Sequence, residues 1–253
     1  MLMAKFSSAF TKWAGLLKKA SDLKGKADEI SGQTDGLLKL SKAKDDKERA
    51  KIAKEILGID SLFTKYLDAV TKVRENLTAI RDADPEWPDD ADCADLFVVG
   101  AQANDKYGKG SKEAKKAWAA YAKALSLFAD EISEVVIALK GMQKQVPGRK
   151  KAAAALVKVA SMISSALEAA QKVPLPSTIL AAVFMASQDA DLLYGQAMNV
   201  AALLDDISKK VDQSVTDGDF MDGRNARWLA WASRAADMDV QEINKNARAQ
   251  TPR

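Results

Sequence analysis

The residue spacing predicts an all-α protein, an elongated bundle of six or seven helices, and three observations carry that prediction. Large apolar residues recur in alternating steps of three and four over stretches much longer than any strand. The breaks between these stretches hold proline, glycine and aspartate in turn-forming combinations. Nothing in the chain follows the two-residue alternation of a half-buried strand.

The first element is a helix over 4–31, with a weaker continuation to about residue 42. Phe6, Phe10, Trp13 and Leu17 form one stripe, and Lys5, Lys12, Lys18 and Lys19 are the only charges in the first 21 residues. The next spans 45–83. There Ile52, Ile56, Ile59, Phe63, Tyr66, Val70, Val73, Leu77 and Ile80 keep one register straight through Gly58, despite a cost of about 1 kcal/mol for that glycine. The DPEWPDD turn follows, then a helix over 90–105, then NDKYGKGS.

A long helix begins after Ser111, a good N-cap. Its seam is Trp118, Tyr121, Leu125, Phe128, Ile132, Val135, Leu139 and Met142, a period of 3.5 that favours packing along the whole length with left-handed supercoiling. The Pro147-Gly148 pair is expected to stop it after Val146. A helix over 149–172 comes next, ended by the VPLPS turn. The third long helix, 177–215, carries Ile179, Val183, Ala186, Ala190, Leu193, Ala197, Val200, Leu204, Ile207 and Val211. TDGDFMDG separates it from a last helix over 223–248. Three helices of about 36–39 residues imply antiparallel neighbours in a single elongated domain covering residues 1–253.

Composition narrows the chemistry. The 253 residues are 47% hydrophobic, which suits a globular chain. Thirty-eight basic against 35 acidic residues leave +3, too balanced for a general nucleic-acid binder. Histidine is absent, so Ser-His and Cys-His nucleophiles and imidazole metal sites are excluded. Cys93 stands alone, so an internal disulfide and a cysteine-rich metal site are excluded too. No cofactor motif is present. No stretch offers the ~18 uncharged apolar residues of a spanning helix. Lys12 interrupts any signal-peptide core at the N-terminus, so the chain is expected in the cytoplasm, or exported without a cleavable signal.

Three segments are candidates for function. Residues 82–105 hold eight acids and no base, which leaves +11 on the rest of the chain. Trp87 sits there between Pro85 and Pro88, and Asp89, Asp90 and Asp92 follow. Together these could face a basic partner or hold Mg²⁺ or Ca²⁺, or the aspartates could simply cap a helix. DDADCAD over 89–95 is similar to the Asp-rich DDxxD metal motif of the all-α isoprenoid synthases, with Asp205-Asp206 as a possible second half. It departs from that motif, because Asp89-Asp90 is followed by Ala91, Asp92 and Cys93. The resemblance would imply a metal-dependent all-α enzyme working through the 82–105 carboxylates.

The second candidate is the N-terminal helix, whose Phe6, Phe10, Trp13 and Leu17 stripe with Lys5, Lys12 and Lys19 suits anionic lipid or a partner's groove. The third is the weakly charged hairpin within 149–195. Residues 152–188 contain only Lys158, Glu168 and Lys172 as charges. Val173, Pro174, Leu175, Pro176, Ile179, Leu180 and Phe184 form the tip and upper arm that would insert into a membrane. A buried central hairpin is the plainer account of the same residues.

The expected function is therefore a non-enzymatic interaction protein, an adaptor, chaperone or structural component, acting on a protein partner or a second copy through its surface. A membrane-active helical pore-former is the alternative, and a metal-dependent enzyme the second.

Overall fold

The computed structural model describes residues 43–172 and 174–250, and between 49 and 66 the side chain of Lys51 alone. The described residues form five helices and no strand: α1 Asp46–Asp82, α2 Ala91–Tyr107, α3 Lys112–Gln171, α4 Ser177–Ala235 and α5 Val240–Gln250. The fold is an all-α helical bundle. The N-terminal helix expected over 4–31, with Phe6, Phe10, Trp13, Leu17, Lys5, Lys12 and Lys19, lies outside the described residues. So do Val173 and the seam side chains from Ile52 to Tyr66.

Helix starts follow their local chemistry. Asp45 accepts the Glu48 N–H at 2.8 Å, while the Glu48 carboxylate accepts the Lys44 N–H at 3.1 Å. Ser111 Oγ accepts the Ala114 N–H at 3.1 Å at the head of α3. Asp239 and Glu242 form a reciprocal capping box at the head of α5, at 2.9 and 3.0 Å. Gly108 and Gly110, both at positive φ, make the turn between α2 and α3.

Two expected breaks are not breaks. Pro147 lies inside α3, which runs 60 residues, and TDGDFMDG lies inside α4, which runs 59. The separate helices expected over 149–172 and 223–248 are therefore parts of longer ones, and of the three long helices only α1, at 37 residues, has the length foreseen. The reason is register. The seam of α3 continues past Met142 at the same spacing, through Val146, Arg149, Ala153, Leu156, Ala160, Ile163, Leu167 and Ala170, nearly all buried. An interior proline costs about 3 kcal/mol. Each Leu or Ile buried beyond it returns roughly 1.5–3 kcal/mol, and Leu156, Ile163 and Leu167 are fully buried.

The chain divides into two compact units. One is Met1–Asp84 with Gln143–Lys210, and the other is Pro85–Met142 with Val211–Arg253. In the first, the arms of α3 and α4 pair antiparallel: Lys150 meets Asp205, and Ser164 donates to Asp191. Helix α1 runs in the same direction as α4. Arg74 Nη1 donates to Gln196 Oε1 at 3.0 Å, and Lys210 Nζ donates to the Arg81 carbonyl at 2.7 Å. The core between them is Val70, Leu77 and Ile80 with the two heptad seams.

In the second unit, α2, α5 and the remaining arms of α3 and α4 enclose an aromatic cluster. Phe97 lies within 6 Å, centroid to centroid, of Trp118, Tyr121, Trp228 and Trp231, mostly edge to face. Burial pushes the Tyr121 hydroxyl well above its usual range. The Trp231 N–H is buried without a hydrogen-bond acceptor, and the indoles of Trp118 and Trp228 stand perpendicular to its ring, each 5.3 Å away.

Candidate functional site

The three segments singled out by the sequence have different fates. In the acidic one, Trp87 is half-buried. Its ring tip lies on Gly218 of α4, where a Cβ would come 2.8 Å from Trp87 Cη2 and 2.4 Å from Val136 Cγ2. Pro88 is buried beside it. The indole therefore clips the 85–90 segment to α4, and Gly218 is the socket rather than a helix breaker. Replacing Gly218 with Ala gains about 1 kcal/mol of helix propensity, against about 1–3 kcal/mol for the overpacking. The expected net result is a loss of about 1 kcal/mol, measured by thermal melting. A variant more stable than the parent would show that Trp87 is not seated there.

The acids around it are exposed, and their roles are local. Asp89 accepts the Ala91 N–H at 3.1 Å at the start of α2. Asp90 occupies the N-cap position without a side-chain bond, and Asp92 sits in the first turn, where the helix dipole favours it. Asp82 is held by Arg81, which pulls its carboxyl below the usual range, and Asp84 pairs with Lys210 at 2.8 Å. Among the described residues no three Asp, Glu or Cys side chains converge to hold an ion. Asp205 is engaged by Lys150, which depresses its pKa. Cys93 is buried, and its thiol is pushed up by desolvation and by Asp90, Asp92 and Glu131.

The hairpin divides by face. Pro174, Leu175 and Pro176 form the turn, and the α4 side facing α3 and α1 is core: Val183, Ala186, Ala190, Leu193, Ala197 and Val200 are all 1% exposed or less. Ile179 is half-buried, whereas Leu180 and Phe184 are exposed. They belong to a second, outward face. Phe184 is 51%, Met185 59%, Leu192 55% and Met198 46% exposed, with Leu180 and Tyr194 less so. Apolar residues on both sides of one helix are what the low charge of 152–188 left unresolved. The inner side is satisfied by burial, and the outer side is not.

The charge on this stretch of α4 itself has one sign. From 173 to 208 α4 and its turn carry four aspartates and no lysine or arginine. Asp189 and Asp191 lie within the apolar stretch. The neighbouring arm of α3 adds Glu168 and Lys158, and Lys172 follows at its end, all three exposed. Part of α3 also has the length and composition to cross a membrane, and one third of that 18-residue stretch is buried.

Sequence reasoning missed two polar residues set among apolar ones. Arg149 occupies a seam position of α3. Its Nη2 donates to Gln145 Oε1 at 3.2 Å, but Nε and Nη1 are buried without partners. Asn104, in α2, is buried and joins three elements. Its Nδ2 donates to the carbonyls of Ala235 at 2.9 Å and Met238 at 2.7 Å, and its Oδ1 accepts the Trp118 Nε1–H at 2.8 Å. Position 149 was readable from the heptad count. Asn104 gave no such signal, because its partners are elsewhere in the chain.

Comparison with protein-family models, with curated proteins and with solved structures finds no match to this chain.

Proposed function

We propose that the protein is a non-enzymatic helical-bundle interaction protein whose working surface is the outward face of α4 between Leu180 and Met198. One observation carries this reading: four large apolar side chains, Phe184, Met185, Leu192 and Met198, stand about half exposed on one stretch of helix whose opposite side is already core. Single surface apolar residues need no explanation, but four of them within 15 residues of one helix make that stretch the best candidate for a contact surface. Among the described residues no three Asp, Glu or Cys side chains converge on one point.

A membrane-active protein is the second reading, supported by the apolar stretch of α3 and the sparse charges of 152–188. Against it, α4 itself carries no lysine or arginine before Lys209, whereas an anionic lipid surface favours such bases beside the apolar face.

One double variant separates them. Phe184→Asp with Leu192→Asp changes two exposed positions, so the melting temperature should stay within about 2 °C of the parent, in line with the ±0.5 kcal/mol usual for surface changes. Binding of a protein partner by affinity capture should be lost. Dye release from vesicles by the parent, abolished in the variant, would favour the membrane reading. Identical capture by parent and variant would remove α4 from consideration.

A further inference from the structure

The exposed apolar residues of α4 are spaced symmetrically. Between Ser177 and Lys209 the large ones are Leu180, Phe184, Met185, Leu192, Tyr194 and Met198. Counted from position 189, Leu180 and Met198 stand nine residues to either side, Phe184 and Tyr194 five, and Met185 and Leu192 four and three.

Two pairs of bonds orient this row. Asp191 is bonded to Ser164 and Asp205 to Lys150, so positions 184, 191, 198 and 205, seven apart, lie on the α3 flank of α4. Gln196 and Lys210 reach α1, so 189 and 203, at the same spacing, lie on the other flank. Leu180, Phe184, Tyr194 and Met198 therefore fall toward α3, and Met185 and Leu192 toward α1. Between the flanks runs a crest of exposed Ala181, Gln188, Gly195 and Ala202. The crest is open: a Cβ on Gly195 would meet no atom within 4 Å.

A helix that pairs antiparallel with its own copy about a two-fold axis sets residue i against j and j against i, each flank against the same flank. Centred near position 189, that operation sets Leu180 on Met198, Phe184 on Tyr194 and Met185 on Leu192. Each of these pairs belongs to one flank, as the symmetry demands. Gln188, on the crest beside the axis, meets its twin, and one primary amide can both donate to and accept from another. Charge selects no oppositely charged partner. On α4 and the facing arm of α3, Lys158 and Lys172 stand against Glu168, Asp189 and Asp191, and Asp191 is bonded to Ser164. Area is sufficient. Six side chains of roughly 200 Å² each, about half exposed, offer on the order of 600 Å² per copy. Two copies together cover about 1,200 Å², the lower edge of a standard specific interface.

We infer that the protein forms an antiparallel two-fold dimer through the outward face of α4, centred near Gln188 and Asp189. The inference rests on reading that face as the working surface and names a second copy as its occupant.

The test uses the full-length chain. In sedimentation velocity it should run at twice 27.3 kDa. Phe184→Asp with Leu192→Asp should run as the monomer and keep the helical circular dichroism of the parent. Copies carrying Leu180→Cys, mixed with copies carrying Met198→Cys, should join through a short bis-maleimide. Leu180→Cys alone should not, because its two thiols stand about 27 Å apart along the axis. The parent, whose single Cys93 is buried, is the blank. Three results would overturn the inference: a parent still monomeric at about 100 µM, a dimer that survives the double variant, or Leu180→Cys joining to itself as readily as to Met198→Cys. A monomeric parent that captures a protein lost with Phe184→Asp and Leu192→Asp would leave the surface standing and remove only the second copy. A monomeric parent whose capture the double variant does not change would remove both.

Discussion

Replacing Asn104 with Ala is expected to lower stability by about 3–5 kcal/mol, the largest effect of any single polar substitution proposed for this chain. Trp118 Nε1–H loses its only acceptor while its ring stays in the core. A buried donor left unpaired costs about 1–3 kcal/mol. The carbonyls of Ala235 and Met238 lose their donor as well, at roughly 1 kcal/mol each. Losses above 4–5 kcal/mol are confined to failures of this kind, in which a whole buried network comes apart. The melting temperature should fall by roughly 10 °C, and the near-ultraviolet circular dichroism of the tryptophan cluster should weaken. Asn104→Asp keeps an acceptor for Trp118 but turns a carboxylate toward two carbonyls, so it should be no milder. A melt within 2 °C of the parent would show that Asn104 does not hold these elements together.

Arg149→Leu is expected to act in the other direction. Most arginines lose function or stability when replaced. Here, however, the guanidinium occupies a heptad position between Val146 and Ala153, with two of its nitrogens buried and unpartnered. Desolvation lowers its pKa, which is the same penalty seen from the side of the proton. Replacing poorly compensated buried charge with a hydrophobic residue of similar volume is often stabilising by about 1–4 kcal/mol. Its charge is only partly withdrawn from water, so the lower half of that range applies. The expected result is a melting temperature higher by several degrees, with unchanged helicity. A lower melting temperature would mean that Arg149 is paired in solution and that the seam depends on it.

The helices were legible wherever a local pattern decides them. The span 45–83 is Asp46–Asp82, and 90–105 is Ala91–Tyr107, because caps and turns lie next to the residues they control. The errors at Pro147-Gly148 and TDGDFMDG have one cause: local breaker residues were weighed above the register running through them. Counting sevens from Trp118 leads through Leu125, Ile132, Leu139, Val146 and Ala153 without a slip, which a true break rarely permits. The seat of Trp87 was hidden for a different reason. Its partner, Gly218, is far along the chain, and no window on the sequence contains both. The outward face of α4 lay between these cases. Its residues were visible as a low-charge stretch, but which side the bundle covers depends on where α1 and α3 pack.

The division of the chain also constrains how it is made. The first unit is assembled from Met1–Asp84 and Gln143–Lys210, the second from Pro85–Met142 and Val211–Arg253. During synthesis the segment 85–142 leaves the ribosome well before its counterpart and must wait, with Phe97, Trp118 and Tyr121 uncovered, until Trp228, Trp231 and Ile243 arrive. Closing contacts over such separations is slow, and the waiting segment is open to misassociation. The bonds from Asn104 to Ala235 and Met238 are among the last that can form. A nascent chain stalled near residue 210 can complete the first unit, whereas the second is within reach only of an almost finished polypeptide.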